Sequence, residues 1–474
     1  MSDIKTALQP TSPALSKRYN KSARVDIQHW TIPAALYTDA VDPEPQYLPP
    51  GWRSHIHPEG ALYFHRISQL NVVTGEDLSS EAAAHIYYWS DKVVKTFEEI
   101  SVPLSDSYEL YLEFDEDTLG CRYYIADHSK RCIFWLEPVS TEDVGINPGF
   151  SMDHFRYGLE EMYWSHVEFY PSHAGIPTNG VVDNVLNTLA HAQGDALTSS
   201  VSTFPYSAEE CARFAKLIRP YQGKEIDGHI ICVIARLSSF IASHKFLNHF
   251  GQAHCRLSRD QSIIDAEPSQ SHWLSSILSR LLFGVPASFV DKFERLYLDT
   301  MVYTKDFREF FKNCQEDRRL FINLSFGATL MHFILLASGV GLRALSPLGL
   351  LCGLASIVSG VALYSQHQEI SQGSAGEGYT YLTERRHGIY GFQYLALLFS
   401  LPKAMFFWSV ALFVPQVFFI LYATIGLVGI CALVFFSSWL ALILQYKLVP
   451  VTFRWLPSRN VSVSGYNHEL ASVV

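Results

Sequence analysis

Residues 320–364 read LFINLSFGATLMHFILLASGVGLRALSPLGLLCGLASIVSGVALY. Leu320–Leu342 runs for 23 residues without a charge and Ala344–Tyr364 for another 21, with Arg343 between them. A helix needs about 20 apolar residues to cross a hydrocarbon core of ~30 Å. Each run therefore predicts a span, and the short Arg343–Ser346 connection predicts a helical hairpin. Small residues recur in both runs, at Gly327, Ala328, Ser338 and Gly339, then at Gly349, Gly353, Ser356 and Gly360. Helices in lipid approach closely at such positions, because packing drives their association there.

Downstream, Ala404–Tyr446 is 43 residues without a charge. One helix of that length would measure roughly 65 Å, about twice the bilayer core, so two spans are predicted. A break at Pro415 would pull Lys403 into the third span, at about 2.5–3.5 kcal/mol. A break near Ala423–Gly426 leaves Lys403 at the boundary, where it can snorkel, and is preferred. The predicted spans are 320–342, 344–364, 403–422 and 424–446. Lys305, Arg308, Lys312, Arg318 and Arg319 precede the first. Arg385 and Arg386 precede the third, and Lys447, Arg454 and Arg459 follow the fourth. The opposite-side loops hold only Arg343. The positive-inside rule then predicts a multi-pass integral membrane protein with both termini cytosolic, and Asn460-Val-Ser as an unused glycosylation match.

The net charge of −10 is an average over two unlike regions. Residues 1–319 hold 29 Lys+Arg against 42 Asp+Glu, a net of −13; residues 320–474 hold 7 against 4, a net of +3. An acidic soluble part argues against nucleic acid as a partner, since phosphate binding needs clustered cations. The segment Met1–Asn20 is polar, with no apolar stretch of the secretory-signal kind. The eight cysteines are scattered, with no Cys-x-x-Cys pair, which predicts reduced thiols and neither a disulfide framework nor a zinc finger.

Residues 1–45 read as a flexible arm. Residues 46–140 follow with strand and turn signals. Leu48-Pro-Pro-Gly-Trp52 leads into a strand, Pro58-Glu59-Gly60 turns it, and Leu62–Arg66 returns, carrying Tyr63 and Phe64. These residues resemble the opening of a WW domain, a small three-stranded reader of proline-rich peptides. The third-strand Trp of that family falls here at Thr74, and its groove His at Ile67. A second unit resembles the same family at its other end. Tyr124, His128, Trp135 and Pro138 lie at the family's spacing, while Leu112 or Phe114 stands where the first Trp would be. The resemblance implies that Trp52, Tyr63 and Phe64 are scaffold, and that Tyr124, His128, Trp135 and Pro138 bind proline-rich segments. Packing of these aromatics on the intervening amphipathic helix, Glu81–Ile100, is the structural alternative. The whole arrangement resembles a group of fungal multi-pass membrane proteins with a WW-like N-terminal region. That group carries no assigned activity.

Residues 141–319 read as a helical cytosolic domain. Asp153–Tyr170, with Ser151 or Asp153 as cap, Val181–Gln193, Ser207–Ile218 and Asp227–Phe250 show helical spacing between Gly, Pro and Asp breaks. His272–Phe283 puts Trp273, Ile277 and Leu281 on one stripe, read as core, with interfacial anchoring as the alternative. Catalytic signatures are missing: no Gly-x-Ser-x-Gly, His-Glu-x-x-His or Walker sequence occurs. His244, His249 and His254 repeat every five residues, the wrong spacing for ligands on one helix face. Glu160-Glu161 reads as a solvated helix face, and Gly373–Gly378 as a flexible loop. No cofactor, metal or catalytic residue is predicted.

The expected architecture is an α+β soluble N-terminal region, made of small WW-like antiparallel hairpins and a mainly α-helical part. A four-helix transmembrane domain and a tail, 447–474, follow. The expected function is a membrane-tethered, cytosol-facing adaptor whose partners are the bilayer and proline-rich protein segments. The alternative is membrane transport or lipid handling with a regulatory soluble part, in which case Lys403 or His332 would reach a cavity.

Overall fold

The computed structural model describes residues 8–16, 18, 27, 29, 48–79, 82–116, 118, 120–173, 180–264, 273–299, 301–340, 342, 344–368, 370, 373 and 375–448. Most of the arm, Arg343, part of the 369–374 loop and nearly all of the tail with Asn460 lie outside them. The chain divides into two compact units, residues 1–266 and 267–474.

The first unit is built on a single mixed sheet of seven strands. They are β1 (Leu8–Pro10), β2 (Trp52–Ile56), β3 (Leu62–Arg66), β4 (Asn71–Thr74), β5 (Tyr108–Asp115), β6 (Gly120–Asp127) and β7 (Cys132–Phe134). Their order is β1-β6-β5-β4-β3-β2, with β7 also paired to β6. The strands β2, β3 and β4 form an antiparallel meander. β4 then pairs in parallel with β5, and helix α1 (Ala82–Glu99) supplies the long crossover that a parallel pair requires.

That pairing corrects the expectation of two separate WW-like units. Both segments are parts of one sheet, and the helix between them is a crossover within it. Neither segment could bury enough apolar surface alone. The arm is also tied down in part. Leu8–Pro10 runs parallel to β6, and the Ser12 hydroxyl donates to the Val144 carbonyl at 2.7 Å.

Strand periodicity sorts the side chains into two layers. On one face Trp52, Phe64, Val72, Leu110, Leu112, Tyr123 and Ile125 meet Ile86, Val93 and Phe97 of α1. On the other, Tyr63, Val73, Tyr111, Tyr124, Ala126 and Ile133 meet the helical layer. That layer holds α2 (Met152–Phe169), α3 (Val181–Thr198), α4 (Ala208–Ile218) and α5 (Gly228–Leu247). Three of its helices begin at side-chain caps. Ser151 Oγ accepts from the His154 amide, Ser207 and Glu210 form a reciprocal capping box, and Asp227 accepts from the Ile230 amide.

The second unit holds α6 (Trp273–Leu281), α7 (Val285–Leu296), α8 (Thr304–Ser338), α9 (Leu345–Gln366), α10 (Ala375–Arg385) and α11 (Gln393–Leu448). Among the described residues, four helices are long and apolar enough to cross a membrane: Gly228–Leu247, Thr304–Ser338, Leu345–Gln366 and Gln393–Gly426. The first, α5, packs in the core of the first unit beside α2, with Ile234, Ala235, Ile241 and Phe246 buried. The other three have an inverted pattern. Phe326, Leu330, Phe333, Leu351 and Val358 face outwards, while Ser325, His332, Gly349, Gly353, Ser356 and Gly360 are buried. An outward apolar surface of that extent suits lipid. The helix α11 runs through Pro415 and breaks at Gly426, where φ is 66° and ψ −179°, a conformation only glycine adopts freely. The stripe expected as core on α6 is exposed, with Trp273 66% accessible.

Candidate metal centre

Strand β5 carries an unusual alternation. Leu110 and Leu112 face α1, and the opposite positions hold Glu109, Tyr111, Glu113 and Asp115. All four of these are buried. An ionised carboxylate in such a place is costly unless it is paired and hydrogen-bonded. For Glu109 the partners come from three elements. His128 follows β6 directly. His166 stands on α2, three residues beyond Tyr163. His173 lies in the turn after α2. All three rings are buried.

Each ring turns Nε2 to the same carboxylate. His128 and His173 lie 3.1 and 2.9 Å from Glu109 Oε2, and His166 lies 3.2 Å from Oε1. The other nitrogen of each ring meets a tyrosine hydroxyl. Tyr163 is 3.2 Å from His128 Nδ1, Tyr124 is 3.0 Å from His166 Nδ1, and Tyr63 is 3.2 Å from His173 Nδ1. The Tyr63 oxygen in turn accepts from the Ser172 amide at 2.8 Å. A fourth histidine, His65 on β3, stacks on His173 with ring centres 4.5 Å apart.

Two triples in this cluster bring their ligand atoms within 4.8 Å of one another: His65, Glu109 and His173, and Glu109, His128 and His166. Four nitrogen and oxygen ligands round a tetrahedral zinc lie about 3.3 Å apart, and the His–Glu109 contacts here are 2.9–3.2 Å. Two details go beyond a hydrogen-bonded salt-bridge cluster. His166 Nε2 and Glu109 Oε1 are adjacent but not aligned as a hydrogen bond, and His65 Nε2 is buried with no hydrogen-bond partner among the described residues.

The surrounding histidines keep Glu109 ionised. Burial pushes the Glu109 carboxyl up. The charge of His173 and the contacts from His128, His166 and His173 outweigh that, and hold it well below the usual carboxylate range. Burial lowers His166, with Glu109 opposing. Burial, assisted by repulsion from His173, brings His65 down to about 4. Burial raises all three tyrosines, so they remain hydroxyls. Ionised carboxylate and neutral imidazole are the forms that bind a metal. A histidine ligand is ordinarily fixed by a partner on its other nitrogen, which is what the three tyrosines supply.

The residues expected to read proline segments are placed differently. Tyr124 and His128 face the interior and belong to this cluster. Trp135 is half-buried and donates from Nε1 to the Thr11 carbonyl at 2.8 Å, while Pro138 is exposed. The four do not line a common surface groove, because strand β6 turns its Tyr124 face towards α2. The scaffold residues Trp52, Tyr63 and Phe64 are buried, but Tyr63 looks into the cluster and the other two into the α1 layer. His244 Nε2 donates to the Thr203 carbonyl at 3.1 Å, and His249 and His254 meet edge to face. Glu161 is half-buried and not a solvated face.

Glu109, His65, His166 and His173 were not legible as a set, since no short spacing joins them. The available signal was the inward register of Glu109 on a strand buried on both faces, which demands a partner. Comparison of the chain with protein-family models, with curated proteins and with solved structures gave no match.

Proposed function

We propose that this chain is a membrane-anchored metal-binding protein, whose N-terminal unit closes round a first-row divalent transition metal held on Glu109. The observation that carries the reading is the convergence of three imidazole Nε2 atoms on one buried carboxylate, each ring backed by a tyrosine hydroxyl. A donor set of imidazole and carboxylate without thiolate suits zinc, manganese or ferrous iron. The metal would tie β3, β5 and the end of β6 to α2, so its binding energy is also folding energy. The membrane helices would hold this unit at the bilayer. Basic residues flanking them favour both termini on the cytosolic side.

The test is elemental analysis of the full chain purified in detergent without chelators and then offered Zn(II), Mn(II) or Fe(II). At least one tightly held ion per chain is expected in the wild type, and none in Glu109→Gln, which keeps the shape but loses the charge. A wild-type chain that retains no metal would overturn the reading.

A further inference from the structure

Glu109 belongs to both ligand triples, and the remaining four histidines divide into two pairs around it. His65 and His173 stack on one side, at 4.5 Å between ring centres. His128 and His166 lie on the other, at 6.0 Å. His128 comes from the end of β6 and His166 from α2, whereas His65 comes from β3. A single ion held by Glu109, His128 and His166 leaves His65 without a role. Yet His65 is 96% buried, from a relative accessibility of 4%, and its Nε2 has no hydrogen-bond partner among the described residues. A polar nitrogen so placed is costly to leave unmet.

We infer that the centre holds two divalent ions bridged by the Glu109 carboxylate, one bound by His65 and His173 and the other by His128 and His166. This rests on the metal-binding reading above. One carboxylate can span two ions about 3.5–4 Å apart; His166 lies by Oε1 and His173 by Oε2, while His128, which lies by Oε2, would turn to the ion on Oε1 that it shares with His166. Each ion would have two imidazoles and one carboxylate oxygen from the protein. Three protein ligands leave a coordination position for water, the arrangement of reactive rather than closed sites. The ligand class is therefore a pair of Mn(II), Fe(II) or Zn(II) ions with water between or beside them.

The full chain in detergent, loaded with Mn(II) and freed of excess metal, provides the test. Two ions per chain are expected, with the electron paramagnetic resonance spectrum of an exchange-coupled pair. His65→Ala should hold one ion and show the six-line spectrum of isolated Mn(II). One ion per wild-type chain with an uncoupled spectrum would overturn the two-ion inference and leave the metal centre standing. No bound ion would overturn both. Two ions retained in His65→Ala would overturn the assignment of His65. Circular dichroism checks that the variant is folded, and the wild-type spectrum decides the question even where the variant is not.

Discussion

His332 in the membrane unit and His166 in the N-terminal unit are buried to the same degree, 0% and 1% accessible, but their nitrogens meet different groups. His332 Nε2 lies 2.9 Å from the Ser409 carbonyl, and its Nδ1 lies 3.4 Å from the Gln416 amide nitrogen. Around it Ser346 donates to Gln416 Oε1 at 2.5 Å, and Ser356 donates to the Pro402 carbonyl at 2.6 Å. Every partner is neutral, and each contact joins one helix to another. His166 instead faces a carboxylate that two further imidazoles also face. Position in the chain is not what separates the two cases. In the N-terminal unit itself His57 meets the Glu168 carbonyl at 2.8 Å and His154 the Phe246 carbonyl at 2.6 Å. A buried histidine on a carbonyl is packing with its polarity satisfied. Several on one carboxylate form a charge centre, which needs a reason to exist.

The largest effect that can break this distinction is at Glu109. Glu109→Ala leaves three ring nitrogens round a void. Removing one member of a buried charged cluster costs about 3–5 kcal/mol. Urea unfolding of the full chain in detergent, followed by tryptophan emission, should show that loss together with the loss of bound metal. A change under about 1 kcal/mol would mean that the cluster is no more than polar packing.

Glu161 sharpens the comparison inside one unit. It is another partly buried carboxyl, with no histidine beside it. Burial pushes it up to about 7, opposed only by a hydrogen bond from Ser243. The direction is opposite to that of Glu109, and the histidines make the difference. Because the folded state holds this proton longer than the unfolded one, stability falls as pH rises from about 4.5 to about 7, and the loss is complete above that. The full shift corresponds to about 3 kcal/mol. Glu161→Gln should therefore match the wild type near pH 4 and exceed it at pH 8. A difference that does not vary with pH would show that Glu161 is solvated in the folded chain.

The tyrosines offer a finer cut. Tyr124→Phe removes only the hydroxyl that meets His166 Nδ1 at 3.0 Å. Loss of such a supporting partner typically weakens a metal site 10–100-fold. Competition with a chromophoric chelator would register that. Unchanged affinity would place His166 outside the ligand set.

The two regions also differ in how far the sequence discloses them. The membrane helices were legible because a bilayer imposes a length of uncharged chain, and Leu320–Leu342 and Ala344–Tyr364 meet it locally. The helices α1, α2 and α4 were legible from 3.6-residue spacing, and α2 also from its cap at Ser151. The single sheet was not, since its decisive pairings are long-range: Val72 with Leu110, and Leu8 with Cys121. Nothing near Val72 states that its strand will continue in parallel beside Tyr108–Asp115. The same holds for the site. His65, Glu109, His128, His166 and His173 meet only after that pairing and the docking of α2. His128 drew notice for its spacing to Trp135, a relation the fold does not use. Composition also cannot tell α5 from a span. Its run is apolar enough to cross a membrane, yet it is a core helix of the first unit.

The smallest expected effect lies in the membrane unit. Hydrogen bonds between membrane helices contribute about 0.6 kcal/mol on average, with a maximum near 1.7. His332→Leu should thus lower stability in detergent by on the order of 1 kcal/mol, because it leaves the Gln416 amide with one partner fewer. Adding Gln416→Leu should recover much of that loss, since replacing both partners by apolar groups of similar shape can be nearly neutral. Bound metal should be unaffected in either variant. No apolar pair can replace Glu109 and its histidines in this way without also removing the metal, so recovery in one region and not in the other separates polar glue from a site. A His332→Leu variant that lost metal as Glu109→Ala does would erase the distinction.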